Sequence, residues 1–109
     1  MIEKDLFATL KNVCDRVYPI KMPQDASYPA ITYMVIADIN EQSLYGNVFM
    51  NSIRFQVDIF AKSYSEVKGL KDEVIEKIVE LRGCDISVQD LYEDDIELYR
   101  ELLDFKIRR

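Results

Sequence analysis

The sequence predicts an α+β fold, two helices packed on a mainly antiparallel sheet, in the order α-β-β-α-β-β. Two stretches carry apolar residues at three- and four-residue spacing, the mark of a helix with one buried face. Others alternate apolar and polar residues, as a strand covered on one side does. No internal repeat, low-complexity segment or interdomain linker interrupts residues 1–109, so a single domain is expected. At 109 residues, roughly two thirds of the surface of the unfolded chain can be buried, enough for one core without a metal or a disulfide.

The first helix is expected from Ile2, Leu6, Leu10, Val13 and Val17, with Lys4, Asp5, Lys11 and Asn12 between them. It must end before Pro19, because the residue ahead of a proline resists the helical backbone. All three prolines, Pro19, Pro23 and Pro29, fall in the connection that follows. Proline fixes one backbone angle and removes a donor, so this segment reads as a stiff element at the edge of the core. It is either a surface crossover or a strap between subunits.

Along Ile31 to Ile39 the residues Ile31, Tyr33, Val35 and Ile39 are expected on one side and Thr32, Met34, Ile36 and Asp38 on the other. Both sets are largely apolar, which predicts a strand covered on each face in an assembled state. NEQSLYGN supplies turn chemistry at Gly46 and Asn47. From Val48 to Ala61, Ile53, Phe55, Val57 and Ile59 point inward while Arg54, Gln56 and Asp58 point outward.

Ser63 can cap the second helix, with Glu66 three residues on completing a capping box. Val67, Leu70, Val74, Ile78 and Leu81 form its buried stripe, Glu73 and Lys77 are placed to pair across one turn, and Gly83 is expected to stop it in a left-handed conformation. Gly69 inside the helix costs about 1 kcal/mol relative to alanine, which close helix packing would explain. Ile86 and Val88, with Leu91 at the margin, suggest a short strand before the acidic turn DLYEDDIE. A last strand follows from Leu98 to Arg108, with Tyr99, Leu103, Phe105 and Ile107 opposite Arg100, Asp104, Lys106 and Arg108.

The residue inventory argues against catalysis. The chain has no histidine, hence neither the usual proton shuttle near neutral pH nor the commonest metal ligand. Cys14 and Cys84 are too few and too far apart for a zinc ligand set, and neither has an imidazole partner. Both read as small buried hydrophobes in a reducing cytosol. Gly46, Gly69 and Gly83 are isolated, so no glycine-rich loop cradles phosphate. Glu93, Asp94, Asp95 and Glu97 lack the pattern of a calcium loop and read as a solvated turn, with a cation site as the alternative. A net charge of -6 opposes specific nucleic-acid binding, and no apolar run is long enough for a membrane span. Neither an enzyme nor a cofactor is expected.

What remains is surface. Strands apolar on both faces, in a domain with two helices, leave apolar area that one subunit cannot cover, and such patches mark interfaces. Tyr45, Val48, Phe49 and Met50 add aromatic and flexible apolar side chains at the hairpin loop.

Arg16-Val17-Tyr18-Pro19, then Pro23-Gln24, then Tyr28-Pro29-Ala30-Ile31-Thr32-Tyr33 resembles a pattern near the start of tail-completion proteins (tail-terminator or head-tail joining proteins) of long-tailed bacteriophages and prophages. Phe55 to Ala61 is similar to that family's central strand, Tyr64 to Leu70 to the start of its second helix, and Tyr92 with Leu98 to Ile107 to its closing hairpin. The resemblance spans Arg16 to Ile107; it departs at Asp25, where relatives often carry glycine, and at the compact connection Arg82 to Asp85.

The resemblance implies a structural protein of the virion tail, assembled in the bacterial cytoplasm, that forms a ring, commonly a hexamer, at the head-proximal end of the tail tube. There it would end tube polymerisation and offer a docking surface to the head connector. Its expected partners are copies of itself, the tail-tube protein and the head connector protein, and an acidic lumen would let a genome slide without adhering. Candidate interface residues are Arg16, Tyr18, Pro19, Pro23, Tyr45, Phe49, Met50, Asp58 and Arg108. The alternative is a stand-alone α+β regulatory or ligand-binding module, which would need a concave pocket with convergent polar groups.

Overall fold

The computed structural model describes residues 2–42 and 49–108; for 39–42 and 49–51 it describes the backbone alone. The expected turn at Gly46 and Asn47, and Tyr45 and Val48 beside it, lie outside the described residues.

Helix α1 spans Ile2–Lys11 and buries Leu6 and Leu10, one turn apart. It stops short of the expected end. The amides of Val13 and Cys14 both donate to the Leu10 carbonyl, and the chain then becomes extended. Val17 belongs instead to a three-residue strand β1, Val17–Pro19, paired in parallel with β2, Ala30–Gln42. Helical spacing persisted past the helix because Val13 and Val17 pack against the same core. Part of the proline-rich connection is thus an edge strand, a position that tolerates proline's missing N–H.

β2 forms a hairpin with β3, Phe49–Ala61. Helix α2, Tyr64–Glu80, is followed by β4, Gly83–Glu93, and β5, Leu98–Arg108. The sheet order is β1-β2-β3-β5-β4, antiparallel except at β1. The architecture is therefore the expected α+β, with β1 added to the order.

Leu6, Leu10, Val67, Val74 and Ile78 of the helices close over Ile31 of β2, the alternating residues Ile53, Phe55, Val57 and Ile59 of β3, and Leu103, Phe105 and Ile107 of β5. Phe55 and Phe105 are direct cross-strand partners, with stacked rings 5.7 Å apart. Pairs of this kind hold register, because a one-residue slip would turn every core side chain outward.

A bulge between Val35 and Ala37 inverts the alternation of β2. Asp38 is consequently opposite Ile53, and Ile39 opposite Ser52, so Ile39 does not continue the face of Ile31 and Tyr33. β5 ends its pairing at Ser52, and beyond it Asn40 to Gln42 pair with Phe49 to Asn51 as a two-stranded extension. Strands of 13 residues reach about 43 Å, which accounts for an elongated molecule of 52 × 24 × 22 Å.

The Ser63 hydroxyl caps α2, accepting from the Glu66 amide at 3.1 Å. At the other end the left-handed residue is Arg82, with φ 65°, not Gly83. Gly83 is required sterically: a Cβ there would lie 2.9 Å from the Ile78 carbonyl oxygen and collide with that residue's side chain. Gly69 faces open space, so close helix packing does not explain it. Lys77 pairs with Glu80 at 3.8 Å in place of Glu73. β4 is longer than expected. As an edge strand it leaves Ser87, Val88, Gln89 and Asp90 exposed, and this dilutes the alternation a sequence reading relies on.

Candidate functional site

The sheet face away from the helices is polar rather than a second apolar layer. Cross-strand neighbours Arg54 and Asp104 form a two-pronged ion pair at 2.7 and 3.1 Å. Asp58 accepts from Gln56 at 2.9 Å and from Arg100 at 3.1 Å, and Arg100 also donates to Glu93 at 2.7 Å. The Arg100 guanidinium lies 5.5 Å from the centre of the Phe60 ring. Asp58 lies on the outward face, as its alternation with Val57 and Ile59 predicts, but among these partners it is only 6% exposed, which corrects its reading as an exposed polar group. On this side of β2, Thr32 lies opposite Asp58 and Met34 opposite Gln56. Glu93, one of the acidic-turn residues, already has its carboxylate engaged by Arg100.

A second cluster sits where α2 crosses β4 and β5. Glu101 lies on the helix-facing side of β5, level with Ile59 and Asp90, and is 1% exposed. Lys68 of α2 reaches Asp90 at 2.6 Å and Glu101 at 2.8 Å. The contact to Glu101 is an ion pair by distance without hydrogen-bond geometry, so both carboxylate oxygens lack a hydrogen-bond donor. Burial, then the neighbouring Asp90, raises the Glu101 pKa above the ordinary glutamate value. The neighbouring Glu101 and then the Lys68 ammonium hold Asp90 below its ordinary value, and Asp90 and then Glu101 raise Lys68. Beside this cluster Tyr99 meets Tyr64 edge-on at 5.7 Å and Tyr92 at 5.0 Å. Tyr64 and Tyr92 are each about half exposed.

The third feature is the free edge of β2. β1 ends at Pro19, and the Lys21 amide donates to the Pro19 carbonyl at 2.6 Å across Ile20, whose φ is 64°. This is the rare γ-turn, strained for a β-branched residue, and it holds an Ile20 side chain that is 73% exposed. After the Ile20 amide reaches the Tyr33 carbonyl, no other described strand pairs with that edge of β2. An open groove of ≈ 270 Å³ forms there, lined by Glu3, Pro19, Ile20, Tyr33, Met34 and Val35. Burial, then the Glu3 charge, raises the Tyr33 pKa.

Arg16, Tyr18 and Pro19 fall together at this edge. Arg16 is half-buried and donates to the Pro29 carbonyl at 3.0 Å, Tyr18 pairs with Thr32, and Pro19 lines the groove. Pro23 is exposed in the connection between β1 and β2. Phe49 and Met50 open β3 opposite Gln42 and Glu41, Arg108 ends β5 opposite Ser52, and Tyr45 lies outside the described residues. The candidates therefore divide between the β1 edge and the hairpin end, with Asp58 between them.

Sequence reasoning missed Ile20, Val35 and Ile36 at one edge, and Tyr64, Val88 and Tyr92 at the other. It also missed Glu101, although the alternation Tyr99, Leu103, Phe105, Ile107 places Glu101 on the apolar face. Both cysteines are free; Cys14 is buried with its thiol directed at the Pro29 carbonyl at 3.4 Å, while Cys84 is partly exposed. Among the described residues no group of three or more Cys, Asp or Glu could hold a metal ion, and no helix is long and apolar enough to cross a membrane.

No family model matches the sequence, and no curated protein matches it. Among solved structures, the chain is similar to one from the virion of a native gene transfer agent (GTA) particle. The similarity covers 93% of this chain and 84% of that one, with a TM-score of 0.64 at 13% identity. At that identity the likeness establishes a shared fold over nearly the whole domain.

Proposed function

We propose that this protein is a structural component of a phage-like particle, a tail-completion protein whose copies form a ring on the head-proximal end of the tail tube. The ring ends tube polymerisation and presents a surface to the head connector. The observation that carries the reading is the likeness along 93% of the chain to a chain of a gene transfer agent virion, joined to the tail-completion resemblance from Arg16 to Ile107.

The surface chemistry supports the same reading. Exposed apolar side chains gather at the sheet edges, as they do on proteins that assemble. The β2–β3 extension reaches past the body of the sheet, where it can meet a neighbour. The groove beside β1 has Glu3 as its one acidic group among mainly apolar walls, unlike a small-molecule site with several convergent polar groups.

Deleting the gene in cells that make the parent particle tests the proposal. Heads without attached tails, together with tubes of abnormal length, are the expected result. Normal particles in normal yield would overturn it.

A further inference from the structure

An ionised carboxyl group can only accept hydrogen bonds, so burying one without a donor is costly. Glu101 is in that position, 1% exposed and with no donor to either side-chain oxygen. The Lys68 ammonium lies 2.8 Å from it but also 2.6 Å from Asp90. Two carboxylates thus share one cation, and with both ionised the trio carries a net negative charge.

The surroundings offer little further compensation. From α2, the charged and titratable groups facing this point are Lys68, Lys71 and Tyr64, and Lys71 is engaged by Asp72 at 2.8 Å. β4 contributes Asp90 and Tyr92, and β5 contributes Tyr99. β3 presents Ile59, the direct partner of Glu101, with Val57 and Ala61 on the same face, all of them apolar and buried.

Asp90 and Glu101 are also direct partners in the register of β4 with β5. Side chains so placed stand next to each other on one face of the sheet, where like charges repel. The Asp90 side chain is 54% exposed, and water favours its charge; Glu101 has no such access. A single proton on Glu101 removes the conflict, because a neutral carboxyl group is itself a donor and the Asp90 carboxylate beside it is an acceptor.

We propose that Glu101 and Asp90 share one proton, carried on Glu101 and donated to Asp90, and that this bond beneath Lys68 is a proton-dependent clamp fastening β4 to β5. The inference goes beyond the capping role and does not depend on it. β4 is the element such a clamp governs, since it ends the sheet, pairs on one side only and leaves Ser87 to Asp90 exposed. Burial and then the neighbouring Asp90 raise the Glu101 pKa, which sets the direction. Below the folded value the proton is in place and β4 is fastened; above it two carboxylates face each other and β4 frays.

Carboxyl-carbon NMR titration of the full chain tests this, together with hydrogen exchange at each pH corrected for the intrinsic rate. In the wild type Glu101 should titrate above the ordinary glutamate value of about 4.3. As its proton leaves, the amides of Ser87 to Leu91 that pair with β5 should lose protection by at least about tenfold. Glu101→Gln, whose amide donates to Asp90 at every pH, should keep that protection constant. Asp90→Asn should lower the Glu101 midpoint, because it removes the neighbouring charge and supplies an amide donor to the ionised form. A Glu101 that titrates at the ordinary value, wild-type protection that does not change with pH, or a midpoint indifferent to Asp90→Asn would each overturn the proposal. If either variant does not fold, the wild-type titration and exchange profile decide it alone.

Discussion

Glu101 is the residue whose placement costs the fold most visibly. A carboxylate that is 1% exposed, with no hydrogen-bond donor, is held by the charge of Lys68 and shares that cation with Asp90. Its raised pKa means that the folded state holds a proton more tightly than the unfolded chain does. Stability from this group is therefore greatest below the ordinary glutamate pKa and declines as pH rises through the raised folded value. Asp90, lowered, acts in the opposite sense: its contribution is present above the ordinary aspartate pKa and is lost as pH falls through its folded value. Glu101→Gln removes the first effect, so its melting temperature should gain on the wild type as pH rises from about 4 to about 7. Thermal melts across that range check it; a constant difference would show that the carboxylate titrates normally.

At the scale of single elements, α2 separates two glycines with opposite roles. Gly69→Ala should stabilise by about 1 kcal/mol, because alanine favours the helix and its added methyl meets nothing within 4 Å. Gly83→Ala should destabilise by about 1–3 kcal/mol, since its Cβ would press on Ile78. Urea titrations of both variants check the signs. The cap at Ser63, the stripe through Val67, Val74 and Ile78, and the alternation of β3 and β5 were legible in the sequence because each depends on neighbours a few residues away. β1 was not legible, since a three-residue strand exists only through its pairing with β2, fourteen positions further on. The bulge at Val35 to Ala37 and the full length of β4 were hidden for a similar reason, as pairing partners fix them rather than local pattern. The Lys68, Asp90 and Glu101 cluster joins three elements that no local window contains together.

For the whole molecule, the polar outer face and the apolar edges divide the labour. Ion pairs joining Arg54 to Asp104, and Arg100 to Asp58 and Glu93, let the open face of the sheet stand in water. Among the described residues most of the exposed large apolar side chains lie at the sides, where lateral association would cover them. The expectation of an apolar surplus was thus sound in kind but misplaced, because the sequence shows which residues are apolar and not where a bulge or an unpaired edge leaves them. On the function proposed above, copies of this chain joined side by side close over the end of a tail tube. Electron microscopy of tail tubes growing from purified tube protein, with and without this protein, tests it most directly. Added protein should give tubes that stop elongating and carry a ring of density at one end. Tubes that keep their growth rate and show bare ends at saturating protein would rule out the capping role.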